Sequence, residues 1–311
     1  MTTVSVIVPT LRRPDRLVRA IRSLLDQALP VGVVLEIVVV DNAPEGGSEA
    51  VLASLCDPGA HHLRVVHEPR LGVATARNAG LAAATGDLVG FLDDDCTAAP
   101  DWLATRIACL EATEADAAFG PRLAHLERVP ERDADWFVTR FSQDLGFNDG
   151  SPVEGLCDYL PLPGSLYRRA RCFPEADTFD QRLDQTGGED ILMFKRLAAA
   201  GRRLVWCDEA PVIEHVPATR LTHAYVWRRR YADGRVRCLV PSLLKPPHRR
   251  EIAIQMAKGL AQLALAGPIA LAGRVTGAWP NEPTAIAMSG LGKLTWWRGT
   301  GPRLYGAGHV G

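Results

Sequence analysis

Leu88-Val89-Gly90-Phe91-Leu92 runs straight into three consecutive carboxylates, Asp93-Asp94-Asp95. A short apolar run of this kind reads as a strand buried on both faces, as in a parallel sheet covered by helices. The C-terminal end of such a strand is where an open α/β sheet presents its ligand groups. Three adjacent carboxylates repel one another, so they need a cation or hydrogen-bond donors. A hard divalent ion, Mn²⁺ or Mg²⁺, holding a phosphate answers that need. An acidic solvated turn is the plainer reading; the buried strand before the triplet favours the metal.

The preceding chain supplies the rest of such a sheet. Val4-Ser5-Val6-Ile7-Val8 is a β-branched run ended by Pro9-Thr10, and Pro14-Asp15 opens a helix. Leu17, Ile21, Leu24 and Leu25 share one face of that helix. Leu35 to Val40 is a second buried strand, ending in Asp41-Asn42, and Leu63 to His67 is a third. Val73 to Ala84 is helical, Pro100-Asp101-Trp102 starts another helix, and Ala117 to Gly120 is a further strand. This alternation predicts a mostly parallel sheet with helices on both faces. Thr10 with Arg13, Asp41 and the Asp triplet then lie along one edge, where a nucleotide binds. No G-x-G-x-x-G or G-x-x-x-x-G-K-[ST] follows the first strand, which argues against dinucleotide oxidoreductases and P-loop NTPases. Without a phosphate-cradling glycine loop, a metal must carry the diphosphate charge.

Residues 121–150 are charged and show no clear period. Ser165-Leu166-Tyr167 begins a strand, and Gly187-Gly188-Glu189-Asp190 leads into an amphipathic helix ending near Gly201. Acids in a first helical turn complement the helix dipole, so this stretch alone leaves a structural and a catalytic reading open. Arg203 to Cys207 and Val212 to Val216 read as strands, and Arg220 to Tyr231 as a helix with a basic face.

The net charge of −1 gives no pull toward nucleic acid. From Lys245 onward, however, eight Lys/Arg face Glu251 and Glu282, a net of +6, which leaves −7 for residues 1–244. The basic tail suits an anionic membrane surface or partner. Its segment Gly259 to Gly273 carries no charge over fifteen residues, short of the roughly 20 that span a bilayer. Two readings stand: a helix on a membrane surface, with Lys245, Arg249, Arg250, Lys258 and Arg274 meeting anionic lipid, or a helix packed on the body. Seven scattered cysteines without a C-x-x-C pair, and an N-terminus without a basic leader, point to the cytoplasm, with the inner membrane face as the site of any tail contact.

In joint order and spacing these pieces resemble the family 2 glycosyltransferases, inverting enzymes of the GT-A fold. The resemblance rests on Ser5-Val6-Ile7-Val8-Pro9-Thr10, on Glu36 to Asn42, on Gly72-Val73-Ala74-Thr75-Ala76-Arg77-Asn78-Ala79-Gly80 continuing to Asp95, and on Gly188-Glu189-Asp190. It covers roughly residues 4–235. The stretch His215 to Gly234 looks like that of bacterial exopolysaccharide enzymes of the succinoglycan type. The implied fold is a Rossmann-like, mostly parallel central sheet with helices on both faces and a C-terminal helical extension. Residues 1–120 would bind the nucleotide sugar, 121–240 would carry acceptor binding and catalysis, and 241–311 would form the basic, apolar tail.

The resemblance also implies roles. Asp41 would accept a hydrogen bond from the base of a nucleoside diphosphate sugar, favouring UDP-sugars, with Pro9, Thr10, Arg13 and Arg77 lining the same pocket. Asp95 would ligate Mn²⁺ or Mg²⁺, Asp93 would serve ribose or metal, and Asp94 is the open member of the motif. His215 either completes the metal shell or is structural. Asp190 would be the general base, with Glu189 bonding sugar hydroxyls. Processive relatives carry Q-x-x-R-W and several membrane spans; here Trp227-Arg228-Arg229-Arg230-Tyr231 stands in that region, which predicts transfer of single sugars to a glycan or lipid-linked acceptor. A sugar-phosphate nucleotidyltransferase would need a glycine-rich loop where Pro9 to Pro14 has none. A non-catalytic sugar-binding scaffold has no reason to keep Asp41, the Asp triplet and Asp190 together.

Overall fold

The computed structural model describes residues 1–55, 62–174, 177–276 and 281–298. Cys56 lies outside them; the six other cysteines are buried and free. In chain order the first elements are β1 (Thr2–Thr10), α1 (Pro14–Leu25), β2 (Val33–Asp41), α2 (Ser48–Leu52), β3 (His62–His67), α3 (Val73–Ala83), β4 (Leu88–Phe91), β5 (Cys96–Ala98) and α4 (Trp102–Thr113). There follow β6 (Ala117–Phe119), β7 (Arg122–Leu126), α5 (Ala134–Phe141), β8 (Ser165–Arg168), α6 (Arg169–Cys172), α7 (Glu189–Ala199), β9 (Leu204–Trp206) and β10 (Val212–Val216). Three long helices close the chain: α8 (His223–Leu243), α9 (Arg249–Thr276) and α10 (Asn281–Leu294).

Seven strands form one sheet in the order β3-β2-β1-β4-β8-β6-β9. The pairs β1–β2, β1–β4, β2–β3 and β6–β9 are parallel, and β8 is antiparallel to both its neighbours. This is the mostly parallel α/β sheet with helices on both faces that the alternation of strands and helices implied. The central strands are apolar throughout because both faces are covered. On one face Val4, Val6 and Val8 pack with Leu17, Ile21 and Trp102; on the other Ile7, Val38 and Val40 pack with Ala74, Phe179 and Phe194. Gly80 lets α3 close onto the sheet, since a Cβ there would run into Ile7.

Two segments differ from expectation. The stretch 121–150 holds β7 and α5, and β7 joins β10 and β5 in a second, three-stranded sheet in the order β5-β10-β7. The basic-faced helix begins later, at His223, and runs on through Gly234 and Pro241 to Leu243. Gly234 does not stop it because the missing side chain is where Ser289 of α10 packs; Gly292 meets Tyr231 in the same way. Polar ties fix these closing helices to the body. Lys195 bridges Asp158 and Glu251 at 3.2 and 2.5 Å, and Arg140 reaches Glu282 at 2.8 Å.

Parallel register places the site. Thr10 sits opposite Asp41, and Asp41 opposite His67, so three strand ends share one edge. Beyond it, Asn42 clamps the loop into α3. Its Nδ2 donates to the carbonyls of Glu68 and Arg70 at 2.8 and 2.7 Å, and its Oδ1 accepts from Gly72 N–H at 2.9 Å. The variant Asn42→Ala leaves three backbone groups of that loop unpartnered. It is expected to cost about 2–3 kcal/mol in denaturant unfolding, with two-state behaviour retained.

Candidate active site

The edge of the sheet opens into a cleft walled by Pro9, Thr10 and Arg13 from β1 and its loop, Arg77 from α3, and Asp93, Asp94 and Asp95. Seven residues expected at a donor site therefore meet there. Each carboxylate of the triplet has a different environment. Thr10 Oγ1 donates to Asp94 Oδ2 at 2.8 Å, and Arg13 Nη1 donates to Asp94 Oδ1 at 3.1 Å. Arg220 Nη1 lies 3.1 Å from Asp95 Oδ2, with Arg13 at 3.7 Å from the same oxygen. Asp93, a third exposed, lies 3.2 Å from Arg77 Nη2. Burial pushes Asp94 up to about 6, against the pull of Arg13. Burial also acts on Asp95, but Arg220, Arg13, Arg122 and Arg16 together outweigh it and hold that carboxyl below its usual range. Asp95 is thus ionised and strongly basic-flanked, while Asp94 serves as a buried brace between Thr10 and Arg13.

The acidic pair Glu189-Asp190 arrives 112 residues after Arg77. Gly187 and Gly188 both adopt left-handed backbone (φ 77° and 92°), a conformation open to glycine, and they turn the chain into α7. Glu189 is then buried against Arg77, whose other nitrogen holds Asp93. Glu189 and Asp190 are not part of the cleft lining itself; Arg77 connects them to it. Burial lifts Glu189 to about 8, opposed by Arg77, and burial raises Asp190 as well. Glu189 Oε2 is buried without a hydrogen-bond partner among the described residues. Asp190 Oδ1 accepts the Ile191 N–H at 2.7 Å. A half-buried carboxylate with a raised pKa is a better proton acceptor than an exposed one.

Two expected residues sit differently. Asp41, 2% exposed, accepts from the N–H groups of Ala43 and Ser48 at 3.1 and 2.8 Å; it is beside the cleft, and Asn42 lines it instead. Each of its oxygens retains a further acceptor direction. His215 is outside the lining: Nε2 pairs with Thr97 Oγ1 at 2.9 Å and the ring packs on His125. Its neighbour Glu214 faces the cleft instead, because successive residues of a strand point to opposite faces.

Arg122, Glu214, Arg220 and Tyr225 also line the cleft and were not singled out as site residues; Arg229 joins them from the basic cluster Trp227 to Tyr231, which the sequence leaves open between a pyrophosphate contact and a solvated helix face. Arg122, 7% exposed, pairs with Glu214, which also faces Arg220 at 3.5 Å. A period-two reading of Val212-Ile213-Glu214-His215-Val216 would have put Glu214 on the buried face with the two valines. Nothing in the charged 121–150 stretch marked Arg122.

Among the described residues no group of three His, Cys, Asp or Glu side chains converges as a closed metal cage. The oxygen donors present nonetheless fit a hard divalent ion. Such an ion is commonly held by one or two carboxylates plus substrate phosphates, and Asp95 and Asp93 are carboxylates at the cleft that could hold it.

Burial lowers the His215 imidazole to about 4, with Arg19 and His125 adding to the effect. A folded pKa below the unfolded value of 6.5 gives stability that is present above about 6.5 and lost as pH falls toward 4. In pH-resolved unfolding, His215→Gln should therefore gain on the parent between those limits. Equal slopes would show that the ring is not held neutral.

The description "Glycosyl transferase family 2" matches residues 5–169, more than half of the chain. Succinoglycan biosynthesis protein ExoM of Rhizobium meliloti (strain 1021) is 31% identical over 272 residues, covering 87% of this chain and 80% of ExoM. Two solved structures share the fold. Staphylococcus aureus TarS 1–349 in complex with UDP-GlcNAc superposes with a TM-score of 0.59 at 16% identity, covering 94% of this chain and 91% of that one. Mannosyltransferase PcManGT from Pyrobaculum calidifontis, in complex with GDP-Man and Mn²⁺, gives 0.56 at 22% identity, covering 94% and 87%. With a family match across the whole β1-to-β8 frame and a relative aligned over most of both chains, this protein belongs to glycosyl transferase family 2.

Proposed function

We propose that this chain is a metal-dependent, inverting glycosyltransferase that moves a single sugar from a nucleoside diphosphate sugar, UDP-sugars first, to a hydroxyl of a glycan or lipid-linked acceptor. One observation carries the reading: Arg77 joins Asp93 of the donor edge to Glu189, the neighbour of Asp190. That link supports reading the cleft as the donor site and the neighbouring acidic turn as the source of the proton acceptor.

Arg13, Arg220, Arg122 and Arg229 bring positive charge to the cleft for a diphosphate. Asp95 and Asp93 would hold a divalent ion, which would supply charge neutralisation for the departing nucleoside diphosphate. Asp190 takes the acceptor proton as that oxygen attacks the anomeric carbon and the bond to the diphosphate breaks. One displacement inverts the anomeric configuration without a covalent sugar intermediate. Glu189, with its open oxygen, accepts from a sugar hydroxyl. Asp41 receives the imide N–H of uracil on the acceptor directions its backbone donors leave open. The ExoM likeness favours exopolysaccharide assembly as the setting, and the bound ligands of TarS and PcManGT favour a nucleotide sugar and Mn²⁺.

Thermal unfolding with UDP, with and without Mn²⁺, tests the donor half. The nucleotide should raise Tm only with the metal, and Asp95→Ala should abolish that shift. Asp190→Asn should keep the shift and reduce transfer by at least about a hundredfold, the usual scale for a lost general base. A fully active Asp190→Asn enzyme would remove that residue as base.

A further inference from the structure

Among the described residues, helix α9 packs along one side, against α10 and α8. Gly259, Ala266 and Gly273 are buried, and Gly259 meets Gly290 of α10 so closely that a Cβ would collide with the backbone. Gln262 on the same side accepts from the buried Lys293 at 2.9 Å. Glu251 at its start is tied to Lys195 of α7.

The opposite side faces outward and is apolar for its whole length. Ile254, Leu260, Leu265, Ile269, Leu271 and Val275 are exposed, Leu265 by 76% and Val275 by 81%. Their spacings of two to six residues place them on one broad stripe, about half the helix circumference wide and about 30 Å long at 1.5 Å per residue. The small residues between them, Ala257, Ala261, Ala264 and Ala272, are exposed as well. From Ala253 onward, Lys258 is the one exposed charge among the described side chains of α9; the Arg274 side chain lies outside them. Monomer surfaces rarely leave a continuous apolar stripe of this length uncovered. At the N-terminal end of the stripe, Lys245, Arg249 and Arg250 are exposed, and the neighbouring acid, Glu251, is engaged by Lys195.

We infer that this face of α9 docks on an anionic lipid surface, with the helix lying in the plane of the membrane. An apolar stripe with arginine and lysine at its edge is the pattern of interfacial helices, which combine shallow apolar insertion with attraction to acidic headgroups. A second copy of this chain brings the same basic end and no free acid on this face to meet it, which favours lipid over self-association. Arg249–Gly273 is long and apolar enough to cross a membrane. Crossing, however, would strip α9 from α10 and expose Gln262 and Lys293 to hydrocarbon, so the helix lies flat. The inference stands on this surface alone and is independent of the chemistry assigned to the cleft.

Flotation of the full chain with equimolar phosphatidylglycerol–phosphatidylcholine vesicles, against pure phosphatidylcholine vesicles, tests it. The protein should float with the anionic vesicles and lose most of that binding in high salt. Leu265→Glu with Ile269→Glu should weaken partitioning by about tenfold or more, with circular dichroism and Tm unchanged. Arg249→Gln with Arg250→Gln, both exposed and outside the packed side, should weaken it about as much, and this pair keeps the test decisive if the apolar pair misfolds. Absence of flotation by the parent chain, or flotation indifferent to both pairs, overturns the inference. So does a parent dimer in light scattering that Leu265→Glu with Ile269→Glu dissociates while vesicles bind neither.

Discussion

Arg77 holds Asp93 with one nitrogen and Glu189 with another, and it is itself 6% exposed. The two carboxylates come from opposite parts of the chain, one at the end of β4 and one at the start of α7. A buried guanidinium needs compensating charge, and a buried carboxylate needs a cation, so neither segment is stable in this position without the other. The donor edge of the sheet and the acidic turn are thereby locked into one geometry. The supporting contacts point the same way. Asp184, just before the glycine turn, accepts from Thr75 N–H and Oγ1 at 2.9 and 2.8 Å and caps the helix that carries Arg77.

The same compensation runs through the rest of the cleft. Asp94, Asp95 and Glu214 are each buried, and each is answered by arginine from a different element: Arg13 after β1, Arg122 on β7 and Arg220 before α8. Each of these three buried carboxylates is thus met by a guanidinium. A ligand with negative charge finds several guanidiniums already oriented. A divalent ion finds carboxylates, of which Asp95 is kept ionised by its neighbours. The charge order of the site is therefore prepared by the fold, which is what electrostatic stabilisation of a leaving diphosphate requires.

What could be read from the sequence follows from how locally each element is specified. β1, β2 and β4 are continuous apolar runs because both sheet faces are covered, and their acidic or polar ends mark the edge without tertiary information. β5 spans three residues and is held by antiparallel pairing to β10, a contact with no local signature. Arg122 is buried because Glu214 arrives 92 residues later. His215 was the conspicuous residue by chemical type, yet strand alternation gives the cleft to Glu214. The sequence pattern ends the basic-faced helix at Tyr231, yet the helix runs on through Gly234, the contact that lets α8 meet α10. In each case the missing information was a partner, not a propensity.

Helix α8 ties the chemistry to the closing helices. Its first turns bring Tyr225 and Arg229 to the cleft, and its later turns carry Gly234 against Ser289. Arg229 lies over the Phe141 ring at 5.3 Å, which seats α8 on α5 at the cleft end, and Arg237 meets Asp158 at 2.9 Å nearer its far end. A continuous helix anchored at both ends transmits position with little loss, since its backbone bonds are internal and its glycine contacts leave no slack. The outward face of α9 is thus held in a defined relation to the cleft. If α9 lies on a lipid surface as inferred, the same packing sets the height of the cleft above that surface.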